Sequence, residues 1–275
     1  MDRERRGIGF YVLAVFFALF VIFLYGPLST IVILSFQGPN GGLTFPMNGV
    51  SLHWFANLFQ KQAVGDFGGS FTRSLLLGLM VMIATTLIAL LAGLAFRRRF
   101  VGATPLFYLT VSSLVVPSIL ISLGIGVSFQ QAGFNPAWYS SAFGAHLTWT
   151  LPFGVLVMLA VFNRFSPAYE EAARDLGASP WQTFRYVVLP IILPMLIGVA
   201  LFGFTLSYDE FARTMMTSGT FNTLPLELYA MTTNVTTPVL YALGTTTTAF
   251  SFAIILLTVG TITLIGRRRA HRSAA

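Results

Sequence analysis

Six long apolar stretches leave this chain few ways to fold. They run roughly over 8–36, 73–96, 104–128, 143–163, 189–210 and 244–266, and a helix needs about 20 mostly apolar residues to cross a bilayer. In hydrocarbon a lone segment must pair its own backbone N–H and C=O groups, so each stretch is expected to be helical. A soluble fold fails on charge, because only 9% of residues are charged where a water-soluble domain carries about 25%. The chain is therefore read as an all-α integral membrane protein, six transmembrane helices in a single domain over 1–275. Pro27, Pro117, Pro152 and Pro194 lie inside or near the ends of four of the stretches. Membrane helices accept such prolines where neighbours satisfy the freed carbonyls.

The arginines orient the spans. Arg3, Arg5, Arg6, Arg97, Arg98, Arg99, Arg164, Arg174, Arg185, Arg267, Arg268, Arg269 and Arg272 fall on one side of the six-span arrangement, and Lys61, Arg73 and Arg213 on the other. That bias is the positive-inside pattern, which places both termini in the cytoplasm. The runs Arg97–Arg99 and Arg267–Arg269 are read as topology anchors at anionic headgroups, which explains the net charge of +7 without nucleic acid as a partner. The first span is too long for the core of a signal peptide and no A-x-A-like site follows it, so it reads as a retained anchor.

Catalytic chemistry has little to work with. There is no cysteine, and His53, His146 and His271 are far apart with no neighbouring ligand at metal spacing, so no metal site is expected. Lys61 is the only lysine and lies outward, whereas a phosphate-binding loop needs a lysine on the β/γ-phosphates. No G-x-S-x-G or H-E-x-x-H pattern occurs. No catalytic residue is assigned and no cofactor is expected on this chain.

Two outward segments carry polar residues. Residues 37–72 hold turn formers around an aromatic, amphipathic stretch from Leu52 to Phe59, read as an interfacial helix anchored by Trp54 and Phe55. Residues 211–243 are rich in Thr, with Pro225 and Pro238, and admit a re-entrant or gating role. At the outer end of the fifth span stands Ser207-Tyr208-Asp209-Glu210, about 30 Å above Pro190 at about 1.5 Å per residue. A carboxylate in lipid costs about 3 kcal/mol, so Asp209 and Glu210 should face protein or water. They form either a cation-attracting mouth of a pathway or an ion pair with Arg213, which follows at helical pairing distance.

The cytoplasmic loop 164–188 differs from the others. Ser166-Pro167 reads as a helix start, with Glu170 and Glu171 in the first turn where the helix dipole favours acids. Gly177 follows Leu176 where a left-handed cap would end that helix. Ser179-Pro180-Trp181-Gln182 then forms a second start with a capping box. The loop should be two short helices joined at Gly177, with Ala172 and Ala173 presenting a small surface suited to a partner's groove.

Glu171-Ala172-Ala173, three residues, Gly177, nine residues, Val187, one residue and Leu189-Pro190 resemble the E-A-A-x3-G-x9-I-x-L-P loop of type I ATP-binding-cassette (ABC) importer permeases, with Val187 in place of Ile. The stretches Phe204–Phe211, Leu224–Met231 and Gly49–Phe55 resemble the spermidine/putrescine permease C-type branch. Pro238-Val239 departs from the Pro-Glu of that branch. The resemblance implies the type I ABC permease fold and a multi-pass place in a bacterial inner membrane. It implies ATPase coupling through Glu170, Glu171, Ala172, Ala173, Asp175, Gly177, Leu189 and Pro190. The implied partners are two copies of an ABC ATPase that binds ATP and magnesium, a second and related permease subunit, a periplasmic substrate-binding protein and membrane lipid. The substrate expectation is a polyamine, an amine or an amino-acid derivative, with Ser207, Tyr208, Asp209 and Glu210 on its pathway. An ion-coupled secondary carrier is the competing class; it would want ionisable residues at span centres, which are nearly absent here. A scaffold without a substrate would leave the loop spacing unexplained.

Overall fold

The computed structural model describes residues 7–58, 65–98, 100–234 and 237–273; the expectations placed on Arg3, Arg5, Arg6, Lys61 and Arg99 fall outside them. Every regular element among the described residues is helical, apart from one antiparallel bridge between Gln37 and Val50. Five helical stretches are long and apolar enough to cross a membrane. The chain divides into two units, residues 1–65 with 230–255 and residues 66–229 with 256–275.

In the first unit α1 (Ile8–Leu34) is an uninterrupted apolar helix with Pro27 inside it. None of its most apolar window is buried against the rest of the chain, the condition of a lipid-facing helix. The outer loop after it folds around Gln37, which is fully buried. The Gln37 amide donates to Gly42 O at 3.2 Å, and its carbonyl accepts the Asn48 N–H at 2.7 Å. A Cβ at Gly41 would overlap the Gln37 side chain, which would have to leave its place in the loop. The interfacial segment contracts to one turn, α2 (His53–Asn57), and Trp54 donates from Nε1 to Gly38 O at 3.3 Å. Trp54 thus ties the helical turn to the loop.

The second unit is built on α3 (Phe67–Phe96), α4 (Ala103–Ser112), α5 (Ser118–Gln131), α6 (Ser141–Asn163), α7 (Ala168–Asp175), α8 (Pro180–Thr183) and α9 (Leu189–Tyr208). A π-helical turn, Phe184–Val188, joins α8 to α9, so Pro180–Tyr208 runs as one stretch. Pro190 explains the π turn, because it has no N–H to return to the Tyr186 carbonyl and its ring crowds that turn. The chain continues through α10 (Leu224–Asn234) to α11 (Val239–Ser273).

α3, α6 and α9 pack together around Ala89, Val155, Met158, Phe162, Ile192 and Val199. Lipid tails are as apolar as leucine, so membrane helices gain from close approach of small residues and from interhelical hydrogen bonds. Both occur here. A Cβ added at Gly154 would sit 3.0 Å from Ala89 and 3.1 Å from Thr85, and one at Gly93 would sit 2.9 Å from Phe162. The Thr85 and Thr150 hydroxyls meet at 2.6 Å in this interface.

The third span is broken, where the sequence suggested one continuous stretch over 104–128. α4 stops at Ser112 and α5 starts at Ser118. Pro117 is the cause: it lacks the N–H that would close the helix and pushes Val116 away from helical backbone angles. Pro152 and Pro194 stay inside α6 and α9.

Candidate functional site

The cytoplasmic loop takes the two-helix form. α7 begins after Pro167, which occupies the cap position in place of Ser166, and Pro167 O accepts the N–H groups of Glu170 at 2.9 Å and Glu171 at 3.1 Å. α7 ends in a complete Schellman motif: Ala178 N–H donates to Ala173 O at 3.0 Å and Gly177 N–H to Arg174 O at 2.8 Å. Gly177 has φ +82°, a left-handed backbone that glycine adopts without a Cβ penalty. Two residues later the reciprocal capping box between Ser179 and Gln182 starts α8.

This geometry sorts the acids of α7 into two roles. Glu170 turns back to the membrane end of α3, where Arg97 grips it through Nη1 and Nη2, both at 2.8 Å. The same guanidinium lies over the rings of Phe162 and Phe165, 5.2 and 5.3 Å from their centroids. The hydrogen bonds from Arg97 hold the Glu170 carboxyl below its ordinary range. Glu171, Ala172, Asp175, Leu176 and Gly177 face outward, and Leu176 is 89% exposed. Trp181 and Tyr186 are exposed beside them. Leu189 and Pro190 are half-buried at the start of α9. An exposed acid, Ala172 and an apolar tip thus stand on a turn capped at both helices, which Glu170 fastens to the end of α3. Arg97 in that fastening was read from the sequence only as a topology anchor.

The outer group divides differently. Ser207 and Tyr208 are buried, each 3% exposed. Ser207 Oγ meets His146 Nδ1 at 2.8 Å. The Tyr208 ring stacks on Phe204 at 5.7 Å. Asp209 is exposed at the end of α9, and Glu210 is half-buried with its carboxylate accepting the Arg213 backbone N–H at 2.9 Å. The ion pair weighed between these acids and Arg213 does not form. The Arg213 guanidinium points away, to Ser118 Oγ, Thr148 Oγ1 and Ser113 O, which leaves Asp209 presented at the outer end of the bundle.

His146, at the heart of α6, carries a readable proton order. Thr214 Oγ1 donates to Glu210 O at 2.7 Å, so it accepts from His146 Nε2–H. Nδ1 of a neutral imidazole then accepts from Ser207. A lone ionisable residue inside an apolar span is the signal that marks such a network. Among the described residues no group of three His, Asp or Glu converges as a metal site. Between α6 and α9 an open apolar cleft of about 360 Å³ is lined by Thr150, Phe153, Gly154, Met195, Gly198 and Phe202.

Residues 85–273 match the family described as binding-protein-dependent transport system inner membrane component. The chain is 27% identical over 257 residues to the spermidine/putrescine transport system permease protein PotC of Haemophilus influenzae, covering 92% of this chain and 96% of that protein. It is 27% identical over 231 residues to the putrescine transport system permease protein PotI of Escherichia coli K12, covering 81% of this chain and 80% of that one. A solved bacterial ABC transporter involved in the import of the acidic polysaccharide alginate superposes with TM-score 0.63 over 98% of both chains, at 16% identity.

Proposed function

The chain belongs to the binding-protein-dependent transport system inner membrane component family, the permease subunits of type I ABC importers, and from that premise we propose that it forms half of a pathway for a small organic cation of the polyamine or amine class. It is a multi-pass protein of the inner membrane and an importer permease of the spermidine/putrescine C-type branch. In the proposed cycle a periplasmic binding protein delivers the cation, and a second, related permease completes the path. Two copies of an ATPase, holding ATP and magnesium, dock on the cytoplasmic loop. Closure of the ATPases pushes on the turn at Gly177, and the continuous stretch Pro180–Tyr208 carries that push across the membrane to Asp209.

One observation carries the coupling reading. The loop is fastened from within by Arg97 and Glu170 and capped at both helices, yet Glu171, Ala172, Asp175 and Leu176 stay exposed. The similarity to spermidine and putrescine permeases supports the cation, as does a carboxylate at Asp209 that forms no ion pair among the described residues. Such a carboxylate attracts cations to the mouth and repels anions.

Glu171→Lys tests the coupling. The variant should reach the membrane at the normal level and lose uptake of radiolabelled spermidine and putrescine, while the ATPase no longer co-purifies with it. Retained uptake would sink the coupling role of the loop. Uptake of neither amine by the unaltered transporter would sink the substrate class and leave the permease assignment standing.

A further inference from the structure

The outward segment that follows α9 admits a re-entrant or gating role by composition, and its contacts favour a fixed part over a moving flap. Residues 210–219 run back against the break in the third span. Arg213 is 0% exposed, and its side chain directs two donors at that break and a third at α6: Nε to Ser118 Oγ at 3.3 Å, Nη2 to Ser113 O at 3.2 Å, and Nη1 to Thr148 Oγ1 of α6. Trp149 lies under the guanidinium, 5.0 Å from Cζ to the ring centroid. No carboxylate of the described residues lies within ion-pair distance of it, the ion pairs there being Arg73–Asp66 and Arg97–Glu170. This cation therefore takes the place that water would fill at the end of a broken membrane helix, supplying donors to a carbonyl freed by Pro117.

The backbone on either side of Arg213 is held as well. Ser122 Oγ of α5 donates to Arg213 O at 2.9 Å and accepts the Met216 N–H at 3.0 Å. Ser141 Oγ of α6 donates to Thr217 O at 2.7 Å. Thr214 closes the chain from Ser207 through His146. Glycine is required at two approaches: a Cβ at Gly126 would lie 2.5 Å from Met216 O, and Gly219, with φ +71°, packs against Pro136 O. Thr214 and Thr217 are fully buried. Lifting this segment would strand a buried cation, several serines and the freed carbonyl together, each of which must be paired inside a membrane protein.

We propose that residues 210–219 are a fixed wedge, pinned by Arg213 into the break of the third span, so that α5, α6 and the outer end of α9 move as one body during transport. The outer path then opens along the edge of this body, not by withdrawal of the segment. Arg213 is a positioning residue in this scheme and touches no substrate.

The absence of native cysteine gives a direct test. Thr217→Cys is introduced, and its labelling by a small thiol-reactive maleimide is followed in cells holding the complete transporter, both energised and depleted of ATP. Labelling of detergent-unfolded protein gives the full reactivity. The wedge predicts protection in both energy states and a rise in labelling rate of about tenfold or more when Arg213→Gln is added, the response of a local opening. Labelling that switches on in energised cells with Arg213 intact overturns the proposal in favour of a flap. Continued protection with Arg213→Gln overturns the role of Arg213 as the pin. Should that variant fail to reach the membrane, Arg213→Lys keeps the charge but not the three-way grip, and the same rise is expected. The reading rests on the permease assignment only for the meaning of the energised state, and spermidine uptake by the same cells reports on that assignment separately.

Discussion

Glu170→Gln should loosen the cytoplasmic loop from the rest of the permease by about 2 kcal/mol, without unfolding the spans. The value comes from the geometry of the fastening. Two hydrogen bonds between charged groups, both 2.8 Å, join Arg97 to Glu170, and a hydrogen bond to a charged group contributes about 1.5–3 kcal/mol. The side chains keep 24% and 16% of their exposure, so solvent screening discounts the sum, while fully exposed pairs reach about 1 kcal/mol at most. The rings of Phe162 and Phe165 keep their hold on Arg97 in the variant and add nothing to the difference. About 2 kcal/mol is a factor of roughly 30 in the opening equilibrium. Amide hydrogen exchange over 170–176, in lipid nanodiscs, should accelerate by that factor while the α3, α6 and α9 amides stay protected. A double-mutant cycle with Arg97→Gln isolates the pair. Acceleration below about twofold, or a coupling energy under about 0.3 kcal/mol, would refute the fastening. The pH dependence has a definite sign. Glu170 is held below its ordinary value of 4.5, chiefly by the hydrogen bond from Arg97. Its contribution is therefore complete above that value and is lost as the pH falls through the depressed one. Between pH 6 and 8 the loop's protection, corrected for intrinsic exchange, should be flat.

Three further outcomes are expected. Gly177→Ala forces a side chain into a left-handed backbone at a cost of about 1–2 kcal/mol, so exchange of the 174–178 amides should rise and spermidine uptake should fall; unchanged exchange would show that the Schellman turn is not held by glycine. Gly93→Val pushes against Met158 and Phe162 at 2.9 Å, and overpacking of about 1–3 kcal/mol should lower the thermal unfolding midpoint of the detergent-extracted protein, an equal midpoint refuting the close packing of α3 on α6. Asp209→Asn should raise the KM for spermidine and leave the level of membrane protein unaltered; unchanged kinetics would remove Asp209 from the pathway.

The features that proved legible in the sequence are those fixed by neighbouring residues or by the lipid itself. Five continuous spans follow from apolar length, because hydrocarbon leaves a lone segment no other way to pair its backbone. The cytoplasmic loop is equally local: the Ser179–Gln182 capping box and the turn at Gly177 involve residues a few positions apart, and the side chains that make them announce themselves in the sequence. The start of α7 differs from the expectation by one position, with Pro167 rather than Ser166 at the cap. What only the tertiary structure decided depends on partners far along the chain. Arg97 looked like a headgroup anchor until α3 brought it to Glu170, seventy-three positions away. Four prolines had equal claims to break a span, and Pro117 does so where Arg213 and Ser118 converge on the gap. Arg213 itself could have paired with Asp209 or Glu210 by spacing alone. Burial reversed that choice: a cation inside a membrane protein goes where the largest number of unpaired acceptors is gathered, and only the folded bundle determines where that is.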